Sequence, residues 1–231
     1  MSNVSGSEVV DRVTTAGGEL VLRRDGEHFE IISNGCFLMD TRDGTSERLL
    51  VRAAVDALAA SGSSPADGLR VLVGGLGVGF SLAEALSLPA VGRVTVVKRE
   101  APVIAWHRGA LGAVTEHALD DPRVTVRQVD LVAWATAPGD REFDALCLDI
   151  DNGPDWTVTE PNGRLYDDAG LTALRGHLAP GGVLSVWSAA ASPAFEARLR
   201  GHFADVAVHA VPVAVPRGEP DVVYVARGPV G

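Results

Sequence analysis

Positive charge is scarce in this 231-residue chain: 20 lysines and arginines stand against 30 aspartates and glutamates, a formal net charge of −10. Nucleic-acid binding is driven by basic groups that release counterions from phosphate. No run of basic residues occurs here, which sets that partner class aside. An acidic surface would instead steer a small cation toward the protein. Cysteine is nearly absent, and Cys36 and Cys147, far apart inside apolar runs, read as buried small hydrophobes. The histidines are scattered with no pair at metal-ligand spacing, so no metal site is expected. The opening residues MSNVSGSEVV lack a basic segment followed by an apolar one, and no apolar run approaches the ~20 residues of a membrane span. A cytoplasmic protein with no membrane partner is the expectation. With 46% hydrophobic and 22% charged residues, the composition excludes a largely disordered chain.

What is present divides the chain in two. Glu19–Leu22 and His28–Ile32 are strand-like runs around an Asp25-Gly26 turn, and Asn34-Gly35 repeats the signal before Cys36–Met39. These runs predict a small three-stranded meander. Thr45 or Ser46 is placed to cap a helix in which Leu49, Leu50, Ala53, Ala54, Ala57 and Leu58 recur at helical spacing. The stretch Ser61–Pro65 then reads as a boundary, giving a unit of residues 1–62 and a main domain of 63–231.

From Leu69 onward, short apolar runs alternate with helical segments, the pattern of a parallel, doubly wound α/β sheet. The seven strands expected are Arg70–Val73, Arg93–Val97, Val124–Gln128, Ala145–Asp149, Val183–Trp187, Val206–Val211 and Val222–Ala226. Helices are expected at Phe80–Leu88, Pro102–Leu111, Ala169–Leu178 and Pro193–His202, with Pro180-Gly181-Gly182 closing a helix before the fifth strand. The Pro-rich stretch Val211–Pro220 suggests that the last two strands form an antiparallel hairpin at the sheet edge. Trp106, Trp134 and Trp187 fall in periodic apolar segments and read as packing residues, whereas His107 reads as solvent-facing.

Between the first of these strands and its helix stand Gly74, Gly75, Gly77 and Gly79. In such a fold this is the turn where backbone must bend sharply and admit a nucleotide or nucleoside closer than a Cβ permits. A carboxylate that grips the ribose is expected about 20 positions on. Lys98 stands there instead, with Glu100 two residues later. Asp130 ends the third strand, where a carboxylate can accept from an adenine amino group or cap a helix from Leu131 onward.

The glycine loop, Asp130, Phe143–Asp149, Leu165-Tyr166 and Leu178–Gly182 together resemble the spermidine synthase family of polyamine aminopropyltransferases, on a Rossmann-like, methyltransferase-type fold. The resemblance extends over nearly the whole chain, including the N-terminal meander and the Ser46–Leu50 helix. It implies a donor of the S-adenosylmethionine type, decarboxylated S-adenosylmethionine with methylthioadenosine as product, a small amine acceptor, and a homodimer. Asp149 matches the family's first loop aspartate, Asp151 or Asn152 falls near the second, and Gly153-Pro154 matches the Gly-Pro that follows. Ser46-Glu47-Arg48 stands where the family carries a tyrosine-histidine-glutamate run.

Transfer from a sulfonium needs orientation and an amine with a free lone pair. Asp149 and Asp151 at a strand's carboxyl end suit the task of binding an ammonium and taking its proton. Both also suit a plain loop-capping role. The long segment Asn152–Asp168 reads as a lid, with Asn152, Trp156 and Tyr166 as acceptor contacts. The same fold would serve an S-adenosylmethionine-dependent methyltransferase. Lys98-Arg99 would also suit the 2′-phosphate of an NADP-binding reductase or a non-catalytic nucleotide-binding module.

Overall fold

A computed structural model gives the fold of the protein and describes residues 6–63, 65–157, 160–213 and 219–230. Ser64 of the boundary stretch, residues 158 and 159 of the long loop, and residues 214–218 of the last connection lie outside the described residues, as do residues 1–5 of the chain start.

The N-terminal sheet has four antiparallel strands in sequential order rather than three: β1 (Glu8–Thr15), β2 (Gly18–Asp25), β3 (His28–Ser33) and β4 (Cys36–Asp40). The additional strand β1 carries exposed Val9 and Val10, so it offers no clean alternation to read. Its pairing with β2 makes it a strand, with Val13 opposite Leu20 and Thr15 opposite Gly18. Asn34 locks the turn from the next hairpin, donating from Nδ2 to Gly17 O at 3.0 Å and accepting from Glu19 N at 2.9 Å. Cys36 opens the edge strand β4 and is exposed, contrary to expectation, while Cys147 is buried.

Helix α1 (Thr45–Ala60) follows. Neither Thr45 nor Ser46 caps it. Gly44 is the N-cap, Thr45 is held by Asp43, and Ser46 turns inward. The main sheet then runs through β5 (Leu69–Gly74), α2 (Phe80–Ser87), β6 (Val91–Val97), α3 (Ala101–His107), β7 (Val124–Arg127), α4 (Leu131–Thr136) and β8 (Phe143–Leu148). It ends with α5 (Asp168–His177), β9 (Leu178–Ser188), α6 (Pro193–His202), β10 (Phe203–Val211) and β11 (Asp221–Pro229).

The order across the sheet is β10-β11-β9-β8-β5-β6-β7. Strands β5 to β9 pair in parallel, and β11 is antiparallel to both β9 and β10. The closing hairpin thus forms as expected, but β11 is inserted one place inside the edge. Successive strand residues face opposite layers, as period-2 geometry requires. Val71, Val73, Ala145 and Cys147 pack toward α1, α2 and α3, whereas Leu72, Leu146 and Leu148 pack toward α4, α5 and α6.

Three further expectations need correction. Pro180-Gly181-Gly182 does not close a helix. Helix α5 stops at His177, and the three residues form an irregularity inside β9, where the pairing moves from Phe143↔Leu178 to Ala145↔Val183. Gly181 takes φ +78°, which the missing Cβ permits. The helix expected at Pro102–Leu111 ends four residues early, at His107. His107 itself is 1% exposed, on the inward face of α3.

Leu50 of α1 is fully buried where the helix lies on the sheet. Leu50→Ala should cost about 2–5 kcal/mol of unfolding free energy, the usual range for a buried leucine. Urea denaturation checks this, and a loss well under 1 kcal/mol would mean that the helix does not depend on this contact.

Candidate active site

Chain direction around the sheet reverses between β5 and β8, and such a switch point leaves a crevice beyond the carboxyl ends of the strands. A cavity of about 880 Å³ opens there, roofed on one side by the N-terminal sheet. That volume lies within the range of small-molecule sites. Its walls bring together Gly75 and Gly77 of the loop, Lys98 and Glu100 after β6, Asp130 after β7, and Asp149, Asp151, Asn152 and Trp156 after β8.

Three expected site residues stand elsewhere. Gly74 packs under Leu131 and Leu148, and Gly79 abuts His107 and Thr115. Tyr166 is 2% exposed in the core, edge-on to Phe195, with its hydroxyl donating weakly to Ile150 O at 3.4 Å. It supports the loop from behind and does not line the cavity.

The glycine loop is shaped by close approach. Gly75 has φ +103°, and a Cβ there would collide with the carbonyl of Asp149, whose N–H donates to Gly74 O at 2.7 Å. Strand β4 lays Met39 over Gly77, so the small sheet forms the outer wall of the loop. His107 supports it from below, its Nε2 lying 3.0 Å from Gly77 O. A carbonyl only accepts, so that nitrogen is assigned the hydrogen. Burial pushes the imidazole pKa down and keeps it neutral.

Arg99 ties two carboxylates at this end of the cavity together, donating from Nε to Glu100 Oε1 at 2.7 Å and from Nη1 to Asp130 Oδ2 at 3.3 Å. Asp130 also caps α4, with Oδ1 accepting from Ala133 N at 3.0 Å. The capping alternative for Asp130 therefore holds, and the residue still lines the cavity, with its second oxygen accepting from Arg99. Lys98 is half-buried among carboxylates. Burial, helped by the charge of Arg99, holds its pKa below the ordinary lysine value, with Glu100, Asp151 and Asp149 opposing.

At the opposite end, burial raises the pKa of Asp149. The charge of Asp221 adds to this, against a 2.7 Å hydrogen bond donated by Ser81 and the charge of Lys98. Asp151 sits at φ +53° and accepts from Asn162 Nδ2 at 2.8 Å. Trp156, two-thirds exposed, stands at the rim. Sequence reasoning missed Glu47 and Asp221 as members of this site, and it read Trp187 only as packing. Burial, followed by the charges of Asp149 and Asp221, pushes Glu47 up to about 8. Ser46-Glu47 was visible at the start of the helix. No local signal marks Asp221, which reaches the site because β11 runs antiparallel and so begins where its parallel neighbours end.

Among the described residues there is no group of acidic, cysteine or histidine side chains suited to a metal ion, and no helix is long and apolar enough to cross a membrane.

Sheet order, glycine loop and crevice together define a Rossmann-like protein of the methyltransferase type. Solved structures share the fold. Spermidine synthase from Thermotoga maritima matches with TM-score 0.75 at 18% identity, over 96% of this chain and 74% of that one. A spermidine synthase in complex with the transition-state analogue AdoDATO matches with TM-score 0.77, also at 18% identity, over the same shares of the two chains. Human methyltransferase-like protein 13 in complex with SAH matches with TM-score 0.61 at 18% identity, over 79% of this chain and 82% of that one.

In sequence, the chain is a homologue of the polyamine aminopropyltransferases. It is 29% identical to polyamine aminopropyltransferase 2 of Ralstonia nicotianae over 196 residues, 84% of this chain and 36% of the relative. It is 33% identical to the polyamine aminopropyltransferase of Mycobacterium tuberculosis over 172 residues, 73% of this chain and 30% of the relative. The chain thus spans about a third of the length of these relatives. No family model matches it.

The neutral state of His107 has a consequence for stability. The unfolded chain takes up a proton at His107 near the ordinary value of about 6.5, and the folded state does so only at lower pH. This share of stability is complete above that value and is lost as pH falls through the folded pKa. His107→Gln, which keeps a donor for Gly77 and cannot titrate, should lose less stability than the parent on acidification from pH about 6.5 to 5, read as urea midpoints. Equal losses in the two proteins would show that His107 is not the buried group being charged.

Proposed function

We propose that this protein is an aminopropyltransferase-type enzyme. The cavity takes the adenine nucleoside of decarboxylated S-adenosylmethionine along the glycine loop and a small amine beside Asp149 and Asp151. The observation that carries this reading is the cavity joining a Cβ-free loop at one end to the half-buried carboxylates of Asp149 and Asp151 at the other. Glu100 and Asp130 are the acceptors available to ribose and adenine. Asp149, whose burial raises its proton affinity, binds the ammonium and takes one proton from it. The freed nitrogen lone pair attacks the carbon next to the sulfonium, and the carbon–sulfur bond breaks with its electrons remaining on sulfur, releasing methylthioadenosine. Orientation of the two partners supplies much of the remaining rate.

The names of the relatives and the AdoDATO-bound structure support this direction. An NADP site is disfavoured, because the Arg99 guanidinium is already engaged by Glu100 and Asp130, and Lys98 lies among carboxylates that would repel a 2′-phosphate. Trp156 at the rim and Asn152 in the cavity wall are proposed acceptor contacts, with Tyr166 a support for the loop.

Asp149→Asn should abolish transfer to an amine while leaving methylthioadenosine binding, measured by calorimetry, within a few-fold of the parent. Near-normal turnover would make Asp149 a loop residue. No heat from methylthioadenosine with the parent protein would remove the nucleoside reading altogether. Lys98→Met removes the cation that holds the Asp149 pKa down, so the rising limb of the kcat–pH profile should move to higher pH. An unchanged limb would mean that Asp149 is not the group titrating there.

A further inference from the structure

Ser46 is buried among three polar partners, and its single hydroxyl hydrogen cannot serve them all. Trp187 Nε1 lies 2.9 Å from Ser46 Oγ, Asp221 Oδ2 lies 2.7 Å away and Glu47 Oε2 lies 3.0 Å away. An indole nitrogen only donates and an ionised carboxylate only accepts. Trp187 therefore occupies one lone pair of the serine oxygen, and the serine hydrogen goes to one carboxylate. The other carboxylate oxygen then faces the serine oxygen at hydrogen-bond distance, and two acceptors attract there only if the carboxyl brings its own proton. Asp221 is the nearer and receives the serine hydrogen. Glu47 is left to donate to the second lone pair.

The charged surroundings point the same way. From the elements packed around Glu47, Asp149 approaches after β8 and Asp221 at the start of β11; burial and these two charges push its pKa up, against the backbone N–H of Glu47 and the Ser46 hydroxyl, which pull it down, and the net shift is upward. Lys98, after β6, acts on Asp149. On its own helix, Arg48 is turned toward Glu84 and the ring of Phe80. Ser81 donates to Asp149 and also lies 3.2 Å from the backbone carbonyl of Glu47, so the two ends of the cluster share a wall.

We propose that Glu47 is a positioning residue that stands in the ligand-free site as a neutral carboxylic acid, hydrogen-bonded through Ser46 to an ionised Asp221, and that it releases this proton when an ammonium group enters beside Asp149. The second half rests on the amine-transfer reading, and the first half does not. A neutral Glu47 lets three carboxylates crowd together without ligand. The incoming cation then takes over the work of the proton, so amine binding is tied to proton release. By linkage, this release makes amine affinity rise about tenfold per pH unit while Glu47 is still protonated in the empty site, beyond whatever Asp149 contributes.

Two measurements on the intact protein test this. Infrared difference spectra of the ligand-free protein across neutral pH should contain a protonated-carboxyl carbonyl band that is missing in Glu47→Gln and shifted in Ser46→Ala. Calorimetry with diaminobutane, in the presence of methylthioadenosine and in buffers of different ionisation enthalpy, should show the parent releasing about one proton more than Glu47→Gln. Absence of a Glu47-dependent band overturns the proposal whatever the amine does. A band accompanied by equal proton release in the two proteins overturns the coupling. Failure of diaminobutane to bind the parent at all counts against the amine-transfer reading and removes the coupling with it, while the band still decides where the proton sits. Should Glu47→Gln fail to fold, Asp221→Asn replaces it: with that negative charge gone, the band should vanish at a lower pH than in the parent, and an unmoved titration overturns the proposal.

Discussion

Burying negative charge beside negative charge is the constraint around which the carboxyl end of this sheet is organised. Buried Glu47 and Asp221 arrive from α1 and β11 and meet half-buried Asp149, which follows β8, and burial raises the proton affinity of Glu47 and Asp149. An ionised carboxylate in such a place is costly unless a donor or a proton compensates it. Ser46 and Ser81 supply donors to Asp221 and Asp149, and Trp187 donates in turn to Ser46. Each of these hydrogen bonds also crosses between elements, joining α1 to β11, α2 to the end of β8, and β9 to α1. The polar cluster therefore clasps the helix to the sheet, which accounts for Ser46 turning inward instead of capping the helix it opens.

The rest of the crevice follows from how closely backbones approach. The loop after β5 can lie against the Asp149 carbonyl only because Gly75 has no side chain, and it is held from below by His107 and covered from above by Met39. The N-terminal sheet is thus more than an appendage. It closes one side of the cavity, with Gly17 of its first turn resting against Arg99 and Glu100.

Local periodicity carried much of the fold. Alternating apolar runs located all seven strands of the main sheet, because a buried strand imposes its pattern on adjacent residues whatever surrounds it. Glycines between a strand and a helix, and aspartates just past the end of a strand, could likewise be read from neighbours in sequence. The positions that escaped were those whose state is set from afar. β1 is a strand only through its partner, Cys36 is exposed because β4 is an edge, and His107 is buried because α3 turns it under the loop. Tyr166, close to the aspartate loop in sequence, was drawn into the core by Phe195.

By itself, then, the sequence determined the α/β class, the strand positions, the glycine loop and the aspartates beyond β8, since all of these rest on interactions within a short stretch of chain. Only the tertiary structure decided which charges share one cavity and how strongly each of them holds a proton. Ser46 and Asp221 lie 175 residues apart and meet at 2.7 Å because β11 enters the sheet antiparallel and delivers its first residue to the carboxyl ends of its neighbours. The proton affinity of a carboxylate depends on the water it loses and the charges it meets, and both belong to the folded arrangement.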